Sequence, residues 1–463
     1  MLSPLFLSLL GSDPAALERA LASIRPAAIC ADVRFIASDE LEGRDTPSEG
    51  QRLAARYLRA RLERLGLEPM GDNGYFDEYT LTSIALDVQA TGVTLERPGK
   101  SESLQFGRDY FFFGSGVRAL YLSGRVVSAG IGAAADYEGL SLGGRFALIQ
   151  ASRKVRWNER IQAAEKAGAL GLILAPDPEE KTDFSRWLDG EPAHDVVEGS
   201  EERTSLPQLW LSESGAQQLL GGAALPQKGT ELPLTLHDRR VLGASHTTIL
   251  ENVCALLRGS DPALAKEVLI LSAHYDHVGR EGGEIYNGAD DNGSGTCGLL
   301  AVAEALRAHG SLRRSVLFLW VSGEEKGLWG SSAWTKKPTL ATGLVPVLDI
   351  NIDMIGRNAP EKLLITPTNA LKEYNGLTRL AEQFAPLEGF PQLGSADDYW
   401  ERSDHKNFAE NLGIPVAFLF SDVHGDYHQP TDDAEKIDCD KIRRVSRLVV
   451  RMLDALQDDR LAL

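Results

Sequence analysis

Four stretches of this sequence place carboxylates or imidazoles directly after apolar runs. VLILSA leads into His274, Asp276 and His277, and SVLFLWV leads into SGEEKG, with Glu324 and Glu325. VLDINID ends in Asp353, and PVAFLF is followed by SDVHGDYHQPTDD, with His428. The loop after the first run, YNGADDNGSG, adds Asp290 and Asp291 just ahead of a helical pattern. One such ending is ordinary for a surface loop, whereas four point to a common site. Carboxylates gathered in a buried place repel one another and mostly protonate unless cations join them. Two histidines and three or more Asp/Glu suit zinc or a similar borderline divalent ion. Without thiolates, an iron–sulfur cluster or a purely structural zinc site is excluded. Two ions about 3.5–4 Å apart, bridged by one carboxylate and a water, would neutralise the excess negative charge. The adjacent Glu324 and Glu325 can then divide the work: one ligates while its neighbour takes a proton from the activated water.

Such residues need a frame to bring them together. From about residue 245 onward, continuous apolar strands alternate with helices, one from Gly295 to about His309 and a final one from Lys441. That alternation predicts a largely parallel sheet covered on both faces, with its ligand site beyond the carboxyl ends of the strands. Upstream, TPSEGQRLAARYLRARLERLGLEP predicts a helix. Thr46 is the expected cap, Pro47 suits the first turn, and Glu49 completes a capping box. Leu53, Tyr57, Leu58, Leu62 and Leu65 would form its apolar stripe, and Gly66 would close it. Residues 115–235 have a different texture: strand-like GRVVSAGIG and GGRFALIQ, a helix–glycine–strand pattern in RIQAAEKAGALGLILAPD, and the polar loop DGEPAHDVVEGSEERTS. They hold their own core pattern but no convergent His, Asp and Glu, and are expected to be a small α/β domain without chemistry.

The 463 residues are 43% hydrophobic and 25% charged, ordinary for a soluble globular protein with a large core. A net charge of −18 argues against a nucleic-acid or anionic-membrane partner, since either would repel it. No apolar run approaches the roughly 18 residues of a membrane-spanning helix. The cysteines (Cys30, Cys254, Cys297 and Cys439) are scattered, which argues against a thiolate zinc site and leaves one or two disulfides open. The opening MLSPLFLSLLG is either the core of a short export signal, though no Lys or Arg precedes Arg19, or an apolar segment packed on the domain. The first of these leads us to expect a secreted or periplasmic protein.

The motifs SAHYDHVG, YNGADDNGSG, SGEEKGLWGS, NIDMIG, SDHKNF and YHQPTDD, in this order over residues 272–433, resemble those of the co-catalytic di-zinc aminopeptidases. That family includes secreted bacterial leucine aminopeptidases and, more distantly, glutamate carboxypeptidase. LEGRDTPSEGQRLAARYLRARLERLGLEP resembles its amino-terminal segment, and residues 115–235 resemble the protease-associated domain often inserted in it. The resemblance implies an α/β zinc-exopeptidase fold with a mostly parallel mixed sheet flanked by helices, plus the small inserted α/β domain. Residues 1–114 and 236–463 would form the catalytic domain and 115–235 the insert. It further implies two Zn2+ per chain, one held by His274 and Asp353, the other by Glu325 and His428, with Asp291 as the bridge. Asp276 would orient the His274 imidazole, Glu324 would be the general base, and Tyr427 would donate a hydrogen bond to the tetrahedral oxyanion. No expected ligand is missing. The implied activity is hydrolysis of the first residue from peptides with a free amino terminus. Alternatives are a carboxypeptidase of the same fold acting on acidic C-terminal residues, a non-catalytic receptor-like binding protein, and a single-zinc acyltransferase of the glutaminyl-cyclase type.

The neighbouring polar residues have humbler expected roles. Asp290 would cap the following helix, and His277 would cap a loop or support the ligands from behind. Asp404 and His405 would hydrogen-bond structurally, Asp432 would support the His428 loop, and His424 would lie at the pocket rim.

Overall fold

A computed structural model of the chain describes residues 14–112, 118–152, 154–176, 193–197, 206–310, 312–458 and 461. The export-signal-like residues 1–11 and both flanks of the polar loop 189–205 lie outside them. The middle of that loop, Ala193–Val197, is a strand. The chain divides into two compact units, one of residues 1–79 and 249–463, the other of residues 80–248. Both are α/β: the first has a mostly parallel mixed sheet flanked by helices, the second a smaller α/β core.

In the first unit's sheet, neighbouring strands run Gly394–Ser395, Leu364–Thr366, Val416–Phe420, Val345–Asp353, Glu267–His274, Ser315–Val321 and Leu242–Leu257. From Val416–Phe420 to Ser315–Val321 the pairing is parallel throughout. The strands flanking this group pair antiparallel to it. Side chains alternate between two cores, as a period of two requires. Leu269, Leu271, Phe318, Trp320, Ile350 and Ile352 face one core; Val268, Ile270, Leu317 and Leu319 face the other. Helices Pro26–Ile36, Glu49–Leu65, Gly295–His309 and Cys439–Ala455 cover the first face. Trp334 and Phe408 help to cover the second. Burial on both faces is why these strands read as unbroken apolar runs rather than alternating ones.

The helix Glu49–Leu65 departs from expectation at its start. Ser48, not Thr46, is the cap, its hydroxyl accepting from the Gln51 amide at 3.0 Å. The Thr46 hydroxyl instead accepts from the Gly323 amide at 3.2 Å, just ahead of Glu324 and Glu325. Ala54, Ala55, Leu58 and Leu62 are buried, whereas Leu53 is 44% exposed: close packing against the core favours the two alanines. Gly66 closes the helix in the left-handed conformation, as expected.

The second unit's sheet runs Lys100–Leu104, Gly92–Arg97, Glu231–Arg240, Leu120–Ser128, Arg145–Gln150, Gly171–Ala175, Gln208–Leu211 and Tyr110–Phe111. The stretch from Leu120–Ser128 to Gln208–Leu211 is parallel. Val126, Phe146, Leu148, Ile173 and Leu209 share its core.

Cys30 and Cys439 form a disulfide, their Cα atoms 5.7 Å apart, and link helix Pro26–Ile36 to helix Cys439–Ala455. Cys254 and Cys297 are buried thiols. Among the described residues no helix is long and apolar enough to cross a membrane. The disulfide joins residues 409 apart, so it restricts the unfolded chain strongly. Replacing Cys30 and Cys439 together with serine should cost about 2–4 kcal/mol. This would appear as a lower urea midpoint for the first unit; an unchanged midpoint would show that the helices need no staple.

Candidate metal centre

Parallel strands deliver their final residues to the same edge of the sheet, and the candidate residues meet there. Among the described residues, two groups bring ligand atoms within 4.8 Å of one another: His274, Asp291 and Asp353, and His277, Asp291, Glu325 and His428. Asp291 belongs to both. His274 Nε2 lies 3.3 Å from Asp353 Oδ1 and 3.5 Å from Asp291 Oδ1. His428 Nε2 lies 3.0 Å from Asp291 Oδ2 and 3.1 Å from Glu325 Oε2. It has no well-directed hydrogen bond there. A ring nitrogen facing two carboxylates without hydrogen-bond geometry, in a set of imidazoles and carboxylates, fits a borderline divalent cation.

Backbone contacts fix this arrangement. Asp291 sits in a non-helical turn between Gly288 and helix Gly295–His309. The Asp432 carboxylate accepts from the Asp290 and Asp291 amides at 3.0 and 3.1 Å. Asn292 Oδ1 accepts from the Gly295 and Met354 amides, and its Nδ2 donates to the Ile352 carbonyl. Asn292 therefore caps the helix and ties the Asp291 turn to the strand that ends at Asp353. Asp290 is not the cap. Its carboxylate accepts from the Gly356 amide at 2.6 Å and pairs with His424 Nε2 at 3.1 Å, so the side chain of the half-buried His424 turns inward rather than to the rim.

Arg44 was not singled out by sequence reasoning. Fully buried, it donates to the carbonyls of Ile36, Tyr275, Asn287 and Gly288, while its own carbonyl accepts from the His277 amide. It joins the loop after His274 to the loop before Asp291. Its position in LEGRDTPSEG was the only available signal, and nothing in that spacing says what the guanidinium touches.

The electrostatics follow from crowding. Burial raises the Glu324 carboxyl well above its usual range, and the nearby Glu325, Asp404 and Asp353 carboxylates add to this against His274. Burial would also raise Glu325, but its hydrogen bond with His277 and the adjacent His428 imidazole hold it well below its ordinary value. Burial alone would lower the His428 imidazole; the adjacent Asp291 and Glu325 carboxylates push it up to about 10. Asp404, buried and accepting from the Ser331 hydroxyl, is raised to about 7 by burial. His274 Nδ1 is 3.3 Å from the Asp276 carbonyl, whereas the nearest Asp276 carboxylate oxygen is 3.7 Å away. That carboxylate accepts from the Glu324 amide at 3.3 Å.

Glu324, Glu325, Asp291 and Asp353 line a cleft whose other walls are Met354, Tyr399, Phe418, Phe420, Val423, Tyr427 and Arg402. The Tyr427 ring stacks on His428 with centroids 3.9 Å apart, and its hydroxyl accepts from Arg402 at 3.2 Å. Burial, with Asp291 and Glu325 nearby, raises its phenol far above the ordinary range, so it keeps its proton as a donor. All eight sequence-derived site residues thus gather at one sheet edge. His277, expected behind them, lies in the second group with Nδ1 2.9 Å from Glu325 Oε1.

Residues 252–453 match the model of peptidase family M28, and residues 122–219 match the PA domain. A probable leucine aminopeptidase of Arthroderma otae is 28% identical over 204 residues, 42% of this chain and 55% of that protein. Aminopeptidase YwaD of Bacillus subtilis is 25% identical over 335 residues, 71% of this chain and 66% of that protein. The chain thus spans between about half and two thirds of the length of these curated relatives. An aminopeptidase from Aneurinibacillus sp. strain AM-1 shares the fold, with a TM-score of 0.61 at 19% identity over 94% of this chain and 95% of that one. So does BSAP, a zinc aminopeptidase from Bacillus subtilis, at 0.56 and 20% identity over 93% and 94%.

Because Asp291 is common to both groups, losing it should disable both. Zinc uptake by Asp291→Ala, measured by plasma mass spectrometry after reconstitution, should fall from about two ions per chain, as a two-metal site requires, towards none. Glu325→Gln should lose about one. Full uptake by Asp291→Ala would contradict a shared carboxylate.

Proposed function

We propose, from the match of residues 252–453 to peptidase family M28 and of residues 122–219 to the PA domain, that the chain is a zinc-dependent aminopeptidase removing the first residue from peptides. One observation carries the reading: two ligand groups share Asp291 while Glu324, which belongs to neither, lines the same cleft. In this reading His274 and Asp353 hold one zinc ion, Glu325 and His428 the other, and Asp291 both. When bound, the pair supplies Lewis-acid polarisation of the scissile carbonyl and makes water acidic enough to ionise near neutral pH. Glu324, raised by burial and then by its carboxylate neighbours, receives the proton from the attacking water and passes it to the departing amine. Tyr427, protonated and pointed into the cleft, donates to the developing oxyanion. Asp276 holds the segment carrying Glu324 through the Glu324 amide and lies beside His274.

The substrate's amine is received as a cation beside Glu324 and Asp353. Its side chain lies against the wall of Met354, Phe418, Phe420 and Val423, which suits an aliphatic or aromatic residue. A carboxypeptidase for acidic residues would need several cations in the cleft, and its lining contains one arginine, Arg402. The residues of the second unit act on substrate access or stability rather than on the reaction, since both ligand groups lie in the first unit. The Cys30–Cys439 disulfide and the export-like opening residues support secretion or a periplasmic location.

Glu324→Gln preserves shape and removes only the base. It should retain two zinc ions while kcat falls by roughly 10²–10⁴-fold. Wild-type kcat in this variant would assign the proton transfer elsewhere.

Substrate polarity is tested by acetylation. Leucyl-anilide and a free-amine dipeptide should be cleaved. Their N-acetyl forms should lose roughly 30- to several-thousand-fold in kcat/KM, since they leave buried carboxylates without a cationic partner. Equal turnover of the two forms would exclude an aminopeptidase; tolerance of acetylation with failure on C-terminal amides would indicate a carboxypeptidase.

A further inference from the structure

We propose that His277, through Nδ1, is a fourth protein ligand of the ion held by Asp291, Glu325 and His428, so that this position has four protein ligands and the one at His274 and Asp353 has three. The inference rests on the two-zinc reading and adds an unequal division of labour to it.

Geometry carries the argument. Four protein ligands at about 2.0–2.1 Å around a tetrahedral zinc lie roughly 3.3 Å from one another. His277 Nδ1 is 2.9 Å from Glu325 Oε1 and 3.7 Å from Asp291 Oδ2; His428 Nε2 is 3.0 Å from Asp291 Oδ2 and 3.1 Å from Glu325 Oε2. Those spacings lie near the tetrahedral edge, with His277 approaching one oxygen of the Glu325 carboxylate and His428 the other. The two imidazoles stand edge-on, their centroids 5.5 Å apart at 77°, as they approach the same carboxylates. A hydrogen bond from His277 to Glu325 accounts for one spacing of the four. The other group offers one imidazole and two carboxylates, which leaves a zinc ion one place short of four.

The His277 ring is built into position. It is fully buried, and its backbone amide donates to the carbonyl of Arg44, whose guanidinium also holds the Tyr275 carbonyl. Gly288 passes directly over the ring, where a Cβ would lie 2.4 Å from both Cγ and Cδ2 of His277. At φ +56° the position also suits glycine, so the loop leading to Asp291 closes onto the imidazole and leaves it little freedom. Nε2 is buried without a hydrogen-bond partner among the described residues, so no contact on that side forces the proton onto Nδ1.

The tautomer decides the matter. A neutral imidazole has one N–H and one lone pair. As a ligand, His277 carries its proton on Nε2 and offers Nδ1 to the ion; as a mere partner of Glu325, it carries its proton on Nδ1. Long-range ¹H–¹⁵N spectra of the zinc-loaded, histidine-labelled full chain should show His277 with a metal-shifted, unprotonated Nδ1 and a protonated Nε2. The resonance would be assigned by its loss in His277→Gln. Zinc release to a chelator should be biphasic in the wild type. In His277→Gln the slow phase should accelerate more than about 100-fold, beyond the 10–100-fold typical of losing a supporting hydrogen bond. A protonated Nδ1 in the loaded wild type, or unchanged release in the variant, overturns the proposal. If Nδ1 is protonated but free-amine substrates are still cleaved, only His277 as a ligand is refuted. If Nδ1 is ligating but aminoacyl substrates are inert, the aminopeptidase reading fails and the ligand assignment stands.

Discussion

The constraint on which the site depends is the mutual repulsion of carboxylates. Asp291, Glu324, Glu325 and Asp353 line one cleft, and Asp276, Asp404 and Asp432 are buried close behind them. Packed in a poorly solvated place, such groups would protonate or move apart unless a rigid frame and opposing charge hold them. The parallel sheet is the frame: it aims separate strand ends at one point, so no single loop has to carry the cluster. The opposing charge within the protein comes from His274, His428 and the buried guanidinium of Arg44. The directions of the shifts show how uneven this is. Glu325, between two imidazoles, is held low, while Glu324, one residue away, is driven high by burial and its acidic neighbours. Adjacent residues of one type thereby acquire different chemistry.

The supports are mostly contacts between side chains and backbone. Arg44 uses four carbonyls to join the turn after His274 to the loop before Asp291, Asn292 ties that loop to the strand ending at Asp353, and Asp432 holds two successive amides. These groups belong to neither ligand group and do not line the cleft, yet they determine how far apart the ligand atoms stand. Backbone anchoring suits the task, because a carbonyl or amide in a packed loop cannot turn away as a free side chain can. The disulfide between helices Pro26–Ile36 and Cys439–Ala455 acts at longer range, linking distant parts of the chain on the same face of the sheet.

Residues 80–248 form a unit with its own sheet and core. Its parallel strands also end in loops, but among the described residues those ends bring no metal-binding group together. A parallel sheet supplies a place for a site; the residue types at the strand ends decide whether chemistry occupies it.

Much was legible in the sequence because the strong signals are local. Apolar runs ending in His274, Glu324, Glu325 and Asp353 reveal strand, exit and chemistry together, and a fully buried strand must be continuously apolar. Two-sided burial made the parallel α/β class readable for the same reason. Tertiary structure alone decided the rest, because it depends on neighbours remote in the chain. Thr46 looks like a helix cap by spacing, but its hydroxyl serves the amide of Gly323, 277 residues away, and Ser48 takes the cap. Leu53 fits the apolar stripe, yet the close approach of the core favours Ala54 and Ala55. Asp290 is the expected cap in YNGADDNGSG, but Gly356 and His424 engage it, and Asn292 accepts from the Gly295 amide instead. His277 differs from His274 by three positions, and only the fold places its Nδ1 against Glu325. Residue type and short-range period belong to the sequence, whereas the distance between atoms brought in by different strands is a property of the packed whole.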